Sequence, residues 1–385
     1  MRHNRHAGPG IFFRDPESFS RRTDPSFLRY CLGGTLYMPS TRTVTDKILA
    51  GGMSDVTSIV MCFEDAIAEA DLPRGEDNVL DQLGRLRAAL DAGDLPEDEA
   101  PLIFLRVRTL EQFRSFAARL TPELADVLTG FVFPKFYSSN ARDYLDLLAD
   151  LDRRLGARLY GMPILEGRAI AYRETREDEL SLLQSILREH RGRILNIRVG
   201  GTDFSSFFGV RRGVGSSVYD ILTVRDALAD ILNFFGRVDE DYVVSAPVWE
   251  YFLAYKRDDL DDVMQLDLHR SLRMMTPILN DAVDGLLREV MLDKANGFIG
   301  KTVIHPSHLR FVNAMQAVTR EEYEDAMQIL DTSGGVIKSA RSNKMNEVNP
   351  HRSWALRIAA LARAYGVVED EGKYMALFHA GEAAE

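Results

Sequence analysis

Eight short apolar runs recur along the chain, and helical periodicity follows nearly every one. The runs lie at residues 35–38, 57–63, 102–107, 130–133, 159–165, 194–199, 242–245 and within 297–304. Between them, residues 45–50, 77–90, 110–119, 141–155, 177–191 and 219–235 space their apolar side chains as helices do. In the stretch 177–191 the apolar positions are 180, 182, 183, 186 and 187. Unbroken apolar runs suit strands buried on both faces, and the helical spacing suits helices that cover them. Further helical material fills about 249–290, while 204–215, rich in Gly, Ser and Arg, reads as a loop. Residues 1–30 are basic and turn-rich, with Pro9, Pro16 and Pro25, and read as an extended arm with one short helix near 26–32. After the eighth run only helical pattern remains, at 307–318, 320–332 and 352–365.

This alternation predicts an α/β fold, a (β/α)8 TIM barrel with a helical C-terminal extension. The expected boundaries are an arm at 1–32, the barrel at 33–318 and the extension at 319–385. The rival is a doubly wound open sheet. The sequence lacks its nucleotide fingerprint: GVG at 213–215 is a lone GxG with no strand directly before it, and no P-loop motif is present.

Two runs organise the candidate chemistry. LYGMPIL (159–165) stops at Glu166, and ILNIRV (194–199) leads through Gly200, Gly201 and Thr202 to Asp203. A right-handed crossover makes these strands parallel and adjacent, roughly 4.8 Å apart. Glu166 and Asp203 then leave the sheet at one edge, close enough to share a divalent cation. The other strand ends add Arg42, Glu64, Asp65, Arg106, Lys135, Ser245 and His305, and barrel chemistry collects at those ends. Taken singly, each has a plain structural reading. Glu64 and Asp65 could cap the next helix. Lys135 could sit on the rim, His305 could bond a backbone carbonyl, and Gly200–Gly201 could be only a tight turn. Glycine there also lets a ligand approach the backbone.

Charge and composition narrow the partners. The net charge of −11 argues against nonspecific binding to nucleic acid or an anionic membrane. It leaves room for a local positive mouth built by Arg42, Arg106 and Arg211 or Arg212. The two cysteines, Cys31 and Cys62, lie in apolar surroundings that suit buried thiols in a reducing compartment. No signal peptide and no apolar run near 20 residues is visible, so a cytoplasmic location is expected.

An ordered set of motifs then carries a resemblance. It comprises LYMPSTR (36–42), FEDAI (63–67), FLRV (104–107), FPK (133–135), PILEG (163–167), GGTD (200–203) and GFIGKTVIHP (297–306). Across about residues 33–315 the chain resembles the citrate lyase β-subunit/HpcH–HpaI aldolase family of the phosphoenolpyruvate/pyruvate superfamily. The longer motifs VGGTDFSSFFGVRR (199–212) and SAPVWEYF (245–252) are similar to its branch of carbon–carbon bond lyases of the TIM-barrel fold, found in tellurium-resistance-type stress gene clusters. The resemblance implies that Glu166 and Asp203 hold Mg²⁺ (or Mn²⁺), that Arg106 holds a substrate oxygen, and that Glu64 and Asp65 orient the metal's waters. Two positions depart from the family pattern. Cys62 stands where an aspartate is common, and Arg108 where an asparagine is common, which leaves the substrate open. Coenzyme A, which many relatives use, has no independent signal here.

Cleaving a carbon–carbon bond beside a carbonyl leaves an enolate, and positive charge waiting at that oxygen lowers the barrier. The expected function is therefore a Mg²⁺-dependent lyase or aldolase for a small carboxylated substrate, CoA-linked or free. Glu64, Asp65 and Arg106 are its expected catalytic residues. Arg42, Lys135, Gly201 and Thr202 are the expected substrate contacts. A second reading is a Schiff-base aldolase using Lys135 or Lys301; in the metal reading Lys301 falls below the mouth. A third is an inactive metal-binding barrel serving as a scaffold in a stress pathway. A barrel of this size often associates, so a homo-oligomer is expected.

Overall fold

The apolar runs become parallel strands because each is buried on both faces and can satisfy its backbone only through neighbouring strands. They are β1 (Gly34–Pro39), β2 (Ser58–Cys62), β3 (Leu102–Arg106), β4 (Gly130–Phe133), β5 (Tyr160–Leu165), β6 (Ile197–Val199), β7 (Val244–Ser245) and β8 (Lys301–Val303). The structure, a computed structural model, describes residues 1–252, 271–272, 274, 277–339 and 343–379. From β1 to β7 each strand pairs in parallel with the next, and β8 returns to β1 with Lys301 opposite Gly34. Between β7 and β8 the seam closes through a bridge from Ala246 to Lys301. Ile299 N–H donates to Val244 O at 2.9 Å and Thr302 N–H to Ala246 O at 3.1 Å. A sheet whose first and last strands are neighbours is a barrel, so the open-sheet rival is excluded.

Helices clad the outside as the periodicity predicts; two of them begin at least a turn before the expected start, at Leu72 and Arg173, and one begins later, at Leu222. Leu72–Ala92, Ser138–Leu155 and Arg173–Glu189 bury leucine rows against the strands, and left-handed Gly93 and Gly156 end the first two. The expected loop at 204–215 is a correction: it is entered through a helix, Gly201–Phe207, which sets Asp203 in a first helical turn. Part of the helix expected over 249–290 lies outside the described residues. The described helix there, Asp281–Asn296, runs on past residue 290.

The C-terminal stretch is not purely helical. Val318–Thr319, Val367–Val368 and Phe12–Arg14 form a small sheet of their own, and Val336–Lys338 pairs with Met345–Glu347. Strands of two or three residues are too short to show a period. The small sheet ties the N-terminal residues to the C-terminal ones. Around it Arg363 pairs with Glu17 at 2.9 Å and Tyr365 Oη donates to Tyr30 O at 2.7 Å. Cys31 and Cys62 are free and buried. Among the described residues no helix is long and apolar enough to cross a membrane.

His3 is packed into this junction. Its ring stacks on Tyr365 at 4.4 Å, and Nε2 lies 2.8 Å from Cys31 O. Burial pushes its pKa from the ordinary 6.5 down to about 3. The folded chain therefore keeps His3 neutral where the unfolded chain binds a proton. Stability is full above pH 6.5 and falls as the pH drops toward 3, at about 1.4 kcal/mol per pH unit for this group. Urea midpoints measured between pH 7 and 5 should fall, and His3→Phe should flatten that slope. An unchanged slope would show that other groups carry the acid sensitivity.

Candidate active site

Glu166 and Asp203 meet at the C-terminal mouth, as strand adjacency requires. β5 and β6 are paired with Leu165 opposite Val199, so the residues just beyond these positions leave the sheet side by side. Their carboxyl groups converge over Gly200. A Cβ at that position would lie 2.4 Å from Glu166 Cβ, 2.7 Å from Glu166 Oε2 and 3.0 Å from Asp203 Oδ2. Any side chain there would displace the pair, which is why the GG turn is tight on this side.

Glu166 is buried and accepts the Lys135 backbone N–H at 2.7 Å through Oε1. Lys135 reaches that position with a positive φ of 47°. Burial, and after it the Asp203 charge, push the Glu166 pKa from 4.5 to about 8. Asp203, half-buried, is also raised, by burial first and then by Asp65. Two carboxyls facing one another, one buried and one half-buried, resist double ionisation unless a cation joins them. Among the described residues no three His, Cys, Asp or Glu side chains cluster as a complete metal cage. The donor set is thus two hard oxygens with room for water or substrate. That suits Mg²⁺, which keeps several waters and takes few protein carboxylates. Glu166 and Asp203 fit the metal.

The cation side is built from β2 and β3. Cys62 pairs with Arg106 in register, and Arg106 Nε lies 3.0 Å from Cys62 Sγ. Arg106 Nη1 is 3.1 Å from buried Glu64 Oε2, and its Nη2 is 3.9 Å from exposed Asp65. Arg108 clasps the loop that carries these acids. Its Nε donates to Phe63 O at 2.9 Å and its Nη2 to Ile67 O at 2.8 Å. Cys62 therefore meets both the Arg106 head and the Glu64 N–H, while Arg108 holds the Glu64–Asp65 loop.

A cavity of about 510 Å³ opens between these groups. Of the expected site residues, Asp65, Arg106, Glu166, Gly201, Thr202 and Asp203 line it. Glu64 stands behind Arg106. Several expectations need correcting. Arg42 is exposed and does not line the cavity; its chain turns outward after Pro39. The Lys135 ammonium is committed to Glu64 and does not line the cavity either. Arg212 is buried against Glu250, Glu289 and Trp249, and Arg211 stacks over Tyr251. Ser245 Oγ donates to Ile299 O within the barrel seam. His305 is bonded to Ser307 at 2.7 Å rather than to a carbonyl, and its ring stacks on Phe252.

Sequence reading missed Arg198 and Tyr37. Arg198 is fully buried on β6 yet lines the cavity beside Tyr37 and Thr302. The available signal was an arginine inside an otherwise apolar run. The two Schiff-base candidates are poorly placed. For Lys135 burial opposes the charge, but Glu64 and the other acids outweigh it and hold the ammonium above its ordinary 10.5. Lys301 is buried below the mouth, 2.8 Å from both Glu289 and Asp293.

Comparison with known proteins agrees with this architecture. The solved structure of the protein CitE from Mycobacterium tuberculosis, in complex with magnesium, acetoacetate and coenzyme A, shares the fold. The TM-score is 0.51 at 17% identity, over 87% of this chain and 99% of that one. A citrate lyase β subunit from the same organism (TM-score 0.45, 17% identity, 75% of this chain and 98% of that one) is a more distant likeness. So is a malate synthase from Haloferax volcanii (TM-score 0.46, 15% identity, 75% and 72%). No curated protein matches the chain. Residues 26–367 match the family described as C–C bond lyase of the TIM-barrel fold, and over that span the chain belongs to this family of lyases.

Proposed function

We propose that this protein is a Mg²⁺-dependent carbon–carbon bond lyase or aldolase acting on a small keto acid or its thioester. The observation that carries the reading is the convergence of Glu166 and Asp203 over Gly200 in a cavity that Arg106 also lines. When bound, Mg²⁺ would supply positive charge to the substrate's carboxylate and carbonyl oxygens and stabilise the enolate that bond cleavage leaves. Arg106 presents a planar, permanently charged donor to that same oxygen. Glu64 and Cys62 hold the Arg106 head, and Lys135 neutralises Glu64 from the other side. Glu166 is held by the Lys135 amide, so strand and loop both keep it aimed at the shared position. Asp65, exposed and beside Arg106, is the acid placed to take or give a proton through water.

Enolisation can be read without knowing the natural substrate. Pyruvate incubated in D₂O with enzyme and Mg²⁺ should lose its methyl proton signal in NMR. Chelation should stop the exchange. Arg106→Met should slow it by about 10²–10³, the usual cost of losing a donor at a developing oxyanion. Exchange that survives chelation and the Arg106 change would overturn the metal mechanism, and no exchange at all would speak for the scaffold reading instead. Borohydride should trap no lysine adduct.

A further inference from the structure

Arg198 lines the cavity, and the metal-and-Arg106 reading leaves it unused. Its residue is 1% exposed, yet no acidic side chain pairs with it among the described residues. Nη1 lies 3.2 Å from Thr35 Oγ1 and Nη2 lies 2.8 Å from Thr302 Oγ1, while Nε has no partner. A second buried polar atom beside it is also without a partner: the hydroxyl of Tyr37. Both residues line the cavity. A guanidinium taken out of water with two hydroxyls and the Tyr37 ring for company, and no carboxylate, is disfavoured unless an anion arrives. Folds keep such a group when the ligand brings the counter-charge.

The spacing fits a ligand with two acidic ends. The guanidinium carbons of Arg106 and Arg198 each lie 5.5 Å from the centroid of the Tyr37 ring. They are therefore within twice that distance of each other. Arg106 stands with the Glu166–Asp203 mouth, and Arg198 sits on β6 deeper in the barrel. A short dicarboxylate would place its keto-acid end at the mouth and its second carboxylate on the floor.

We propose that Arg198, with the Tyr37 and Thr302 hydroxyls, forms a carboxylate subsite that selects dicarboxylic keto acids over monocarboxylic ones. This rests on the proposed keto-acid reading of the same cavity. Arg198 binds the unreacting end and determines specificity; it takes no part in bond cleavage. The guanidinium can meet a carboxylate through paired N–H groups, and Tyr37 Oη adds a neutral donor with no bond to give up.

Matched ligand pairs test it by calorimetry in Mg²⁺: oxaloacetate against 2-oxobutyrate, and 2-oxoglutarate against 2-oxopentanoate. In each pair a methyl group replaces the far carboxylate. The wild type should prefer the dicarboxylate by at least about tenfold in one pair, as expected for a buried charged hydrogen bond. Arg198→Met should erase that preference and leave Mg²⁺ affinity and monocarboxylate binding unchanged. Tyr37→Phe breaks no existing hydrogen bond, so it should fold even if Arg198→Met does not, and it should cut the preference several-fold. Mg²⁺-dependent binding of the monocarboxylates with no preference in either pair would overturn this inference alone. So would a preference indifferent to both substitutions. Failure of every keto acid to bind would overturn the proposed function with it.

Discussion

Glu166→Gln is expected to lower Mg²⁺ affinity by on the order of a hundredfold while leaving the metal-free protein folded. The amide keeps the size of the side chain and can still accept the Lys135 N–H that orients it. It removes one of only two protein charges offered to the cation, and affinity for hard cations follows ligand charge. The metal-free fold should be indifferent or slightly favoured. Burial and Asp203 already hold Glu166 against ionisation, and a neutral amide mimics the protonated acid. Calorimetry gives the affinity. Thermal unfolding gives a second, independent measure, because a ligand bound only by the folded state raises its stability in proportion to saturation. Wild type should gain melting temperature with millimolar Mg²⁺, and Glu166→Gln should not. Equal Mg²⁺ binding by both proteins would place the metal elsewhere.

Lys301→Met is expected to destabilise the fold by about 3–5 kcal/mol, the usual result of stranding a buried partner charge. Lys301 is 1% exposed and its ammonium touches Glu289 and Asp293, both on the helix Asp281–Asn296 and both buried. Glu289 also accepts the Val218 N–H at 2.9 Å and pairs with Arg212, and Asp293 accepts the Tyr219 hydroxyl at 2.6 Å. The network thus joins β8, the helix behind it and the turn that follows the Asp203 loop. Removing the ammonium leaves two acids facing each other. Asp293, whose pKa burial already lifts to about 6, would be driven further toward its neutral form. Denaturant melts give the loss directly. A variant that kept full stability but lost all activity would instead return Lys301 to the catalytic candidates.

Much of the candidate site's geometry was visible in sequence because it follows from connectivity. Glu166 ends one apolar run and Asp203 follows the next, and strands joined in sequence by a right-handed crossover usually lie beside one another, as these do. Arg106 was visible for the same reason, at the end of β3 beside β2. The residues that failed, Arg42 and the Lys135 ammonium, lie just past strand ends. There the chain is free to turn, and side-chain direction depends on loop geometry that no period records. Arg212 failed differently. It follows the Asp203 loop, yet its partners Glu250 and Glu289 are distant in sequence, and they draw it into the core rather than the mouth.

What the sequence determined by itself was the order of elements, the barrel, and the pairing of Glu166 with Asp203. All three depend on local period and on chain connection. Only the tertiary structure decided how the floor of the cavity is made. Arg198, Tyr37, Thr35 and Thr302 come from β6, β1 and β8, strands far apart along the chain, and they meet because closing the barrel turns alternate side chains inward. The small sheet joining residues 12–14, 318–319 and 367–368 was decided the same way. Its strands are too short to specify themselves, and they form only where the packed barrel brings their backbones within hydrogen-bonding reach.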